Sequence, residues 1–155
     1  MSEHEGKLER VGQVLLIASR WHERITRRLL EGARDGCDSA GISGSDVDIW
    51  WVDGAFEIGV AVASATRSGR YQAVVALGVV IRGETPHFDY IAGETAGAIA
   101  RLAAETLVPV GFGVLTCDTV EQAMARSGGD AGNKGREAAE AAIRTASLLG
   151  RVAWS

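Results

Sequence analysis

The sequence predicts an α/β protein, a three-layer α/β/α sandwich around a four-stranded parallel sheet. Four uninterrupted apolar runs have the length of strands covered on both faces: residues 14–19, 47–52, 72–82 and 110–116. Segments of helical periodicity separate these runs, so strands and helices alternate along the chain. Because crossovers between parallel strands are right-handed, the helices are expected on both faces of the sheet.

Three helices are predicted between the strands from the spacing of apolar residues. The second helix is predicted over about 57–68. The third is predicted from apolar residues that lie three and four positions apart between residues 91 and 102. In the first helix the apolar positions repeat every four residues, at Ile25, Leu29, Ala33 and Cys37.

Two further helices are predicted after the fourth strand. Asp118 and Glu121 have the spacing of a capping box, so a short helix is expected to begin at Asp118 and to stop at residues 127–129, "SGG". A last helix is expected from about Asn133 to Leu149. Whether the tail after it is ordered, and whether Trp154 packs there, stays open.

Composition fits a single domain over residues 1–155, with an N-terminal arm of residues 1–12. The chain is 46% hydrophobic, enough to fill one core, and its net charge is −4 without a block of Lys or Arg. Nucleic acid and anionic membranes are therefore not expected as partners.

Cys37 and Cys117 have neither disulfide nor metal-ligand spacing, so no metal site is expected. With no recognisable signal peptide or membrane span, we expect a cytoplasmic protein.

Ligands of such sheets bind beyond the carboxyl ends of the strands, which directs attention to the loops there. In the first loop, Trp21 offers an aromatic face to a planar heterocycle, or else it is a packing residue. In the second, the backbone N–H groups from Ala55 and the Glu57 carboxylate are suited to a polyol or amide edge. The alternative for that loop is an ordinary helix start with an acid in its first turn.

The third loop, "RGETPHFD", combines groups suited to a phosphate and to a proton. Gly83, Glu84 and Thr85 lie between a strand and a helix, so their N–H groups and the Thr85 hydroxyl are able to surround an anion. His87 follows Pro86, whose fixed φ stiffens the loop, and imidazole transfers protons near neutral pH. The alternatives are a glycine that only permits a turn and an incidental histidine.

The segment between the last two helices, "RSGGDAGNKG", is rich in glycine and contains two cations, Arg126 and Lys134. Arginine suits bidentate phosphate binding better than lysine does. The alternative for either cation is a solvated surface group.

Taken together, five segments of the chain resemble the lumazine synthase family from about Glu5 to Leu149. They are "SRWHERIT", "VDGAFEIG", "GVVIRGETPHFDYIA", "FGVLTCDTVEQA" and "AGNKGREAAEAAI". The resemblance implies a flavodoxin-like fold and a condensation of 5-amino-6-ribitylaminouracil with 3,4-dihydroxy-2-butanone 4-phosphate. The products would be 6,7-dimethyl-8-ribityllumazine, phosphate and two waters, with no metal or organic cofactor.

The resemblance also implies roles for individual residues. Gly83, Glu84 and Thr85 correspond to the phosphate loop, His87 to the proton-transfer histidine and Arg126 to the phosphate-binding arginine. The pyrimidine and its ribityl chain would meet Trp21, Ala55, Phe56, Glu57, Val80 and Ile81, together with Phe112 and Lys134.

In that family the site lies between neighbouring subunits of a pentamer, with the Phe112 region, Arg126 and Lys134 supplied by the partner. A monomer would then be inactive. The short turn between the last two helices favours a hollow shell of twelve pentamers, while a pentamer and a decamer stay open.

Three positions depart from the family pattern. His22 stands where asparagine is usual, Asp53 replaces a proline, and Asp130 occupies a place that is usually basic. Asp53 would make the ribityl loop more mobile, and Asp130 would weaken phosphate binding unless it points into water.

Two other functions compete with catalysis. One is a non-catalytic relative that binds flavin or lumazine or only forms a shell, and the other is a small flavodoxin-like electron carrier. The presence of both His87 and Arg126 argues against each of them.

Overall fold

The computed structural model describes residues 1–153 and contains the predicted parallel sheet. Its four strands are arranged in the order β2-β1-β3-β4, all parallel. They are β1 (Val14–Ser19), β2 (Val47–Val52), β3 (Ala73–Ile81) and β4 (Val110–Cys117). Trp154, whose packing the sequence left open, lies outside the described residues.

Helices cover both faces of this sheet, which confirms the three-layer α/β/α fold. On one face lie α1 (Glu23–Ser39), α4 (Val120–Arg126) and α5 (Lys134–Val152). On the other lie α2 (Ile58–Arg67) and α3 (His87–Thr106). Short 3₁₀ turns occupy Gly44–Asp46 and Ala55–Glu57.

The two central strands place alternate side chains into two separate cores. Leu16 of β1 and Val75 of β3 lie under α1 and α5, whereas Leu15 and Val74 lie under α2 and α3. Every residue of β1 is fully buried, which explains why its sequence shows no polar alternation.

The edge strands are less covered than the sequence predicts. All six residues of β2 are only partly buried, and β4 exposes Phe112 and Thr116. The prediction of strands covered on both faces is therefore right for β1 and β3. The edge strands β2 and β4 also pack against both cores, but less completely, since one side of each has no neighbouring strand. In β2, Trp50 packs edge-on against Tyr71, and Trp51 lies under the guanidinium of Arg27 at 4.9 Å.

The N-cap of the short helix α4 lies one residue later than predicted. Its N-cap is Thr119, whose hydroxyl accepts a hydrogen bond from the Gln122 N–H at 3.2 Å. The Gln122 side chain in turn accepts from the Asp118 N–H at 2.8 Å. The capping box predicted from Asp118 and Glu121 is therefore wrong: Thr119 caps the helix, and Gln122 rather than Glu121 reaches back, to the N–H of Asp118.

After α4 the chain forms a small antiparallel hairpin that the sequence analysis does not anticipate. Its strands are β5 (Ser127–Gly129) and β6 (Gly132–Asn133). Asn133 then caps α5, since its Oδ1 accepts from the N–H groups of Gly135 and Arg136 at 2.9 and 3.1 Å. Its Nδ2 donates to the carbonyl of Arg28 in α1 at 3.0 Å, so one side chain joins the start of α5 to α1.

The N-terminal segment 1–12 contains no helix or strand and packs against α5. Leu8 and Val11 contact the core under α1 and α5. The Glu9 carboxylate accepts hydrogen bonds from the Ser147 hydroxyl at 2.6 Å and from Arg151 at 2.7 Å. Residues 1–153 include no helix long and apolar enough to cross a membrane.

Candidate functional site

A cavity of about 560 Å³ opens at the carboxyl ends of β1, β2 and β3. The first, second and third loops of the sequence analysis all contribute to its wall, together with the end of β3. The structure brings together these residues predicted for the site: Trp21, Ala55, Phe56, Glu57, Val80, Ile81 and His87. The volume is in the usual range for a small-molecule pocket.

The first two loops are joined through the backbone of Asp53. Its carbonyl accepts hydrogen bonds from the N–H groups of Arg20 and Trp21, both at 3.0 Å. Trp21 is 70% exposed, so one face of its indole is free to meet a ligand. Because these two hydrogen bonds use only the backbone carbonyl of Asp53, they do not depend on the side chain at position 53.

Gly54 allows the indole and the second loop to approach each other. A Cβ at Gly54 would lie 3.1 Å from Cδ1 of Trp21 and 3.0 Å from Oε2 of Glu57, closer than ordinary contact. The same Glu57 oxygen accepts the Gly54 N–H at 3.0 Å. Within residues 1–153, Oε1 of Glu57 has no hydrogen-bond partner, so this oxygen is available to a ligand hydroxyl or amide.

The third loop places His87 in the cavity wall at the first turn of α3. The Thr85 hydroxyl accepts a hydrogen bond from the His87 N–H at 3.4 Å. Gly83 does not have positive φ, and no atom lies within 4 Å of a Cβ built on it. The turn therefore does not require glycine, and open space surrounds Gly83 at the amino end of a 20-residue helix.

Gly83, Glu84 and Thr85 are exposed and adjoin the cavity along the chain without lining it. Phe112, Arg126 and Lys134 also lie outside its wall.

Those three residues occupy other parts of the molecule. Phe112 lies midway along β4 and is 48% exposed. Arg126 ends α4 and donates to the Gln122 carbonyl at 3.0 Å, while Lys134 begins α5 and pairs with Glu137 at 3.3 Å.

Asp130 is exposed in the turn between β5 and β6. In the part of the chain that the structure describes, no three His, Cys, Asp or Glu side chains are grouped so as to hold a metal ion.

The chain as a whole also matches known proteins. The model of the 6,7-dimethyl-8-ribityllumazine synthase family matches residues 12–150. The chain belongs to that family. It is 46% identical to the 6,7-dimethyl-8-ribityllumazine synthase of Protochlamydia amoebophila (strain UWE25) over 156 residues, 98% of this chain and 89% of the relative. It is also 46% identical to the synthase of that name from Anaeromyxobacter sp. (strain Fw109-5) over 154 residues, 99% of this chain and 94% of the relative.

Several residues of the cavity wall in this family member were not predicted as site residues. Val79 lies two positions before Ile81 on β3, and Ile91 lies one helical turn after His87, so each shares a face with a predicted residue. Their spacing would have identified them. Gly54 gives no such signal, because its importance depends on the proximity of Trp21 and Glu57.

His22 was noted only as a departure from the lumazine synthase pattern, and it also lines the cavity. Its φ is 58°, in the left-handed region, where it forms the cap before α1. Asparagine and histidine are both enriched among residues that adopt this conformation, so the exchange is compatible with the turn.

Proposed function

We propose that this chain catalyses the condensation of 5-amino-6-ribitylaminouracil with 3,4-dihydroxy-2-butanone 4-phosphate to 6,7-dimethyl-8-ribityllumazine, phosphate and two waters. The observation that supports this most directly is the single cavity in which Trp21, Glu57 and His87 meet, in a chain of this family. An exposed aromatic face, a free carboxylate oxygen and an imidazole suit the ring, the polyol and the proton transfers of that reaction.

In this proposal the pyrimidine stacks on Trp21 and its edge meets Val80 and Ile81. The ribityl hydroxyls bind along Ala55, Phe56 and Glu57, where Oε1 of Glu57 accepts a hydrogen bond. Stacking and polyol binding would then use neighbouring parts of the wall of the same 560 Å³ cavity.

The phosphate of the second substrate binds at Gly83, Glu84 and Thr85, at the amino end of α3. The positive end of a long helix and the Thr85 hydroxyl favour an anion there. His87 is two residues from Thr85, so the leaving phosphate and the proton-transfer group are neighbours.

The reaction begins when the amine attacks the ketone and forms an imine with loss of water. Phosphate then leaves by elimination as His87 moves the proton, and a second attack closes the ring with loss of the second water. Holding both substrates in register contributes up to about 7–11 kcal/mol in the best intramolecular comparisons. Proton transfer by one histidine contributes about 10² to 10⁴ in rate.

A neighbouring subunit completes the site, in this proposal, with Phe112, Arg126 and Lys134. All three lie outside the cavity of their own chain, and Phe112 is an apolar side chain left half exposed. Two further large apolar side chains are exposed, Phe56 in the cavity wall by 61% and Tyr90 in α3 by 69%. We infer a pentamer, assembled into a 60-subunit shell in the cytoplasm.

The decisive experiment mixes the purified protein with both substrates and follows lumazine fluorescence against an enzyme-free blank. We expect acceleration over the blank, a slower but measurable rate in His87→Ala, and a raised KM for the butanone phosphate in Arg126→Ala. The controls His4→Ala and Arg24→Ala remove exposed groups of the same type and should leave the rate unchanged.

A rate equal to the blank from a well-folded protein would refute the proposed activity and favour a binding or shell-forming role, which a yellow protein with bound flavin would support. Native mass spectrometry tests the assembly separately. A monomer with full activity would contradict the shared site.

A further inference from the structure

Arg82 joins three segments of the chain through its guanidinium group. Its Nε donates to Oδ1 of Asp118 at 2.9 Å, in the loop after β4. Its Nη1 approaches Oδ1 of Asp89 at 3.4 Å, in the first turn of α3. The guanidinium carbon lies 4.4 Å from the centre of the Phe88 ring, within the range of a cation–π contact.

Most of these contacts join residues on the two sides of the loop 83–86. Arg82 is the residue before that loop, and Phe88 and Asp89 follow it. The segment also forms hydrogen bonds from the Arg82 N–H to the Cys117 carbonyl at 2.9 Å, from the Asp89 N–H to the Pro86 carbonyl at 3.0 Å and from the His87 N–H to the Thr85 hydroxyl at 3.4 Å. The Arg82 side chain therefore closes the loop across its base.

We propose that Arg82 is a positioning residue that closes the loop 83–86 and thereby sets its affinity for a phosphate group. The inference rests on the proposed function, in which Gly83, Glu84 and Thr85 hold the phosphate of the substrate. Asp118 and Asp89 engage Nε and Nη1 of Arg82, and in this inference Arg82 holds the loop through these two carboxylates rather than serving as the phosphate ligand. The hydrogen bond with Asp118 raises the pKa of Arg82, so the guanidinium stays charged in this cluster.

The effect is local rather than global, because all three charged groups are exposed. Side-chain exposure is 49% for Arg82, 62% for Asp89 and 65% for Asp118. Ion pairs in such positions contribute little to the free energy of unfolding. Loss of these ion pairs should leave the fold intact but should allow the loop 83–86 to open.

Two substitutions distinguish the effect of loop closure on phosphate binding from the effect of side-chain charge. Arg82→Lys keeps the positive charge but removes the planar fork that reaches two carboxylates and stacks on Phe88. Asp118→Asn removes a negative charge near the phosphate, which by charge alone would strengthen phosphate binding. Loop closure predicts that both substitutions weaken it.

The test measures binding of inorganic phosphate by isothermal titration calorimetry, together with the KM of each substrate. We expect Arg82→Lys and Asp118→Asn to weaken phosphate binding by about fivefold and to raise the KM of the butanone phosphate similarly, with the KM of the pyrimidine unchanged. The control is Arg70→Lys, since Arg70 pairs with Asp48 at 2.8 Å and lies over the Tyr71 ring at 5.2 Å, away from this loop. It should bind phosphate like the wild type.

Wild-type affinity for phosphate in Arg82→Lys, or tighter phosphate binding in Asp118→Asn, would overturn the inference. Either result would show that side-chain charge alone sets the affinity. Equal weakening in Arg70→Lys would overturn it by showing a general effect, and so would a wild type that binds no phosphate. A wild type that binds phosphate but makes no lumazine would refute the proposed function instead, and the titration would still decide the role of Arg82.

Discussion

Replacing Gly135 with alanine should force α5 away from α1. A Cβ at Gly135 would lie 2.7 Å from the carbonyl carbon of Leu29 and 2.9 Å from its Cα, with the carbonyl oxygen closer still. All three are backbone atoms of a helix and are unable to rotate aside. Since comfortable separations between carbon atoms begin near 3.5 Å, the two helices must part by roughly 1 Å.

The expected loss of stability follows from three effects. Overpacking of this kind costs about 1–3 kcal/mol. Parting the helices also stretches the hydrogen bond from Asn133 to the Arg28 carbonyl, now 3.0 Å, and its loss costs about 1 kcal/mol. Alanine is favoured over glycine within a helix by about 1 kcal/mol, which offsets part of this. The net destabilisation should be about 2 kcal/mol.

Urea unfolding at one fixed protein concentration measures this difference, with Gly150→Ala as the matched control. Gly150 lies in the same helix with no atom within 4 Å of a Cβ, so its replacement should be neutral or slightly stabilising. If Gly135→Ala unfolds at the same urea concentration as Gly150→Ala or a higher one, the packing argument is wrong.

Two further predictions concern groups whose pKa the fold displaces. The hydrogen bond from Ser147, and then that from Arg151, lowers the pKa of Glu9 below its ordinary 4.5. Glu9→Gln should therefore lower the melting temperature at pH 7, and the gap should close as the pH falls below 4.5 and through the lowered value. Burial raises the pKa of Cys37 to about 11, so this thiol is almost wholly protonated at pH 8 and should react with a thiol reagent only after denaturation.

Each of these has a direct control. Glu3→Gln removes an exposed carboxylate of the same arm and should leave melting unchanged at every pH. A constant gap between Glu9→Gln and the wild type from pH 7 to pH 3 would contradict the linkage. For Cys37, the comparison is Cys37→Ala: rapid modification of the native wild type that disappears in this variant would show that the thiol is accessible.

The sheet was predictable because its strands are short, apolar and bounded by turns. The strands 14–19 and 47–52 were predicted with their observed limits, and the other two within one residue. What failed depended on individual atoms: Thr119 rather than Asp118 caps α4, because its hydroxyl is the group within reach of the Gln122 N–H. The hairpin before α5 pairs too few residues to leave a periodic signal.

The cavity was predictable to the extent that parallel strands end at one edge. Loops after β1, β2 and β3 meet there, so Trp21, Glu57 and His87 were expected to be neighbours, and they are. Phe112 and Arg126 lie outside that cavity in their own chain, and only in the proposed assembly does a neighbouring subunit bring them to it.

Trp21 also supplies the protein with its own optical probe. The other tryptophans of the described chain, Trp50 and Trp51, are held against Tyr71 and two arginines, whereas Trp21 stands exposed at the cavity. A ring that stacks on its indole should quench and shift its emission. The part of the signal that Trp21→Phe abolishes would then report the arrival of the pyrimidine in real time, separately from the chemistry that follows.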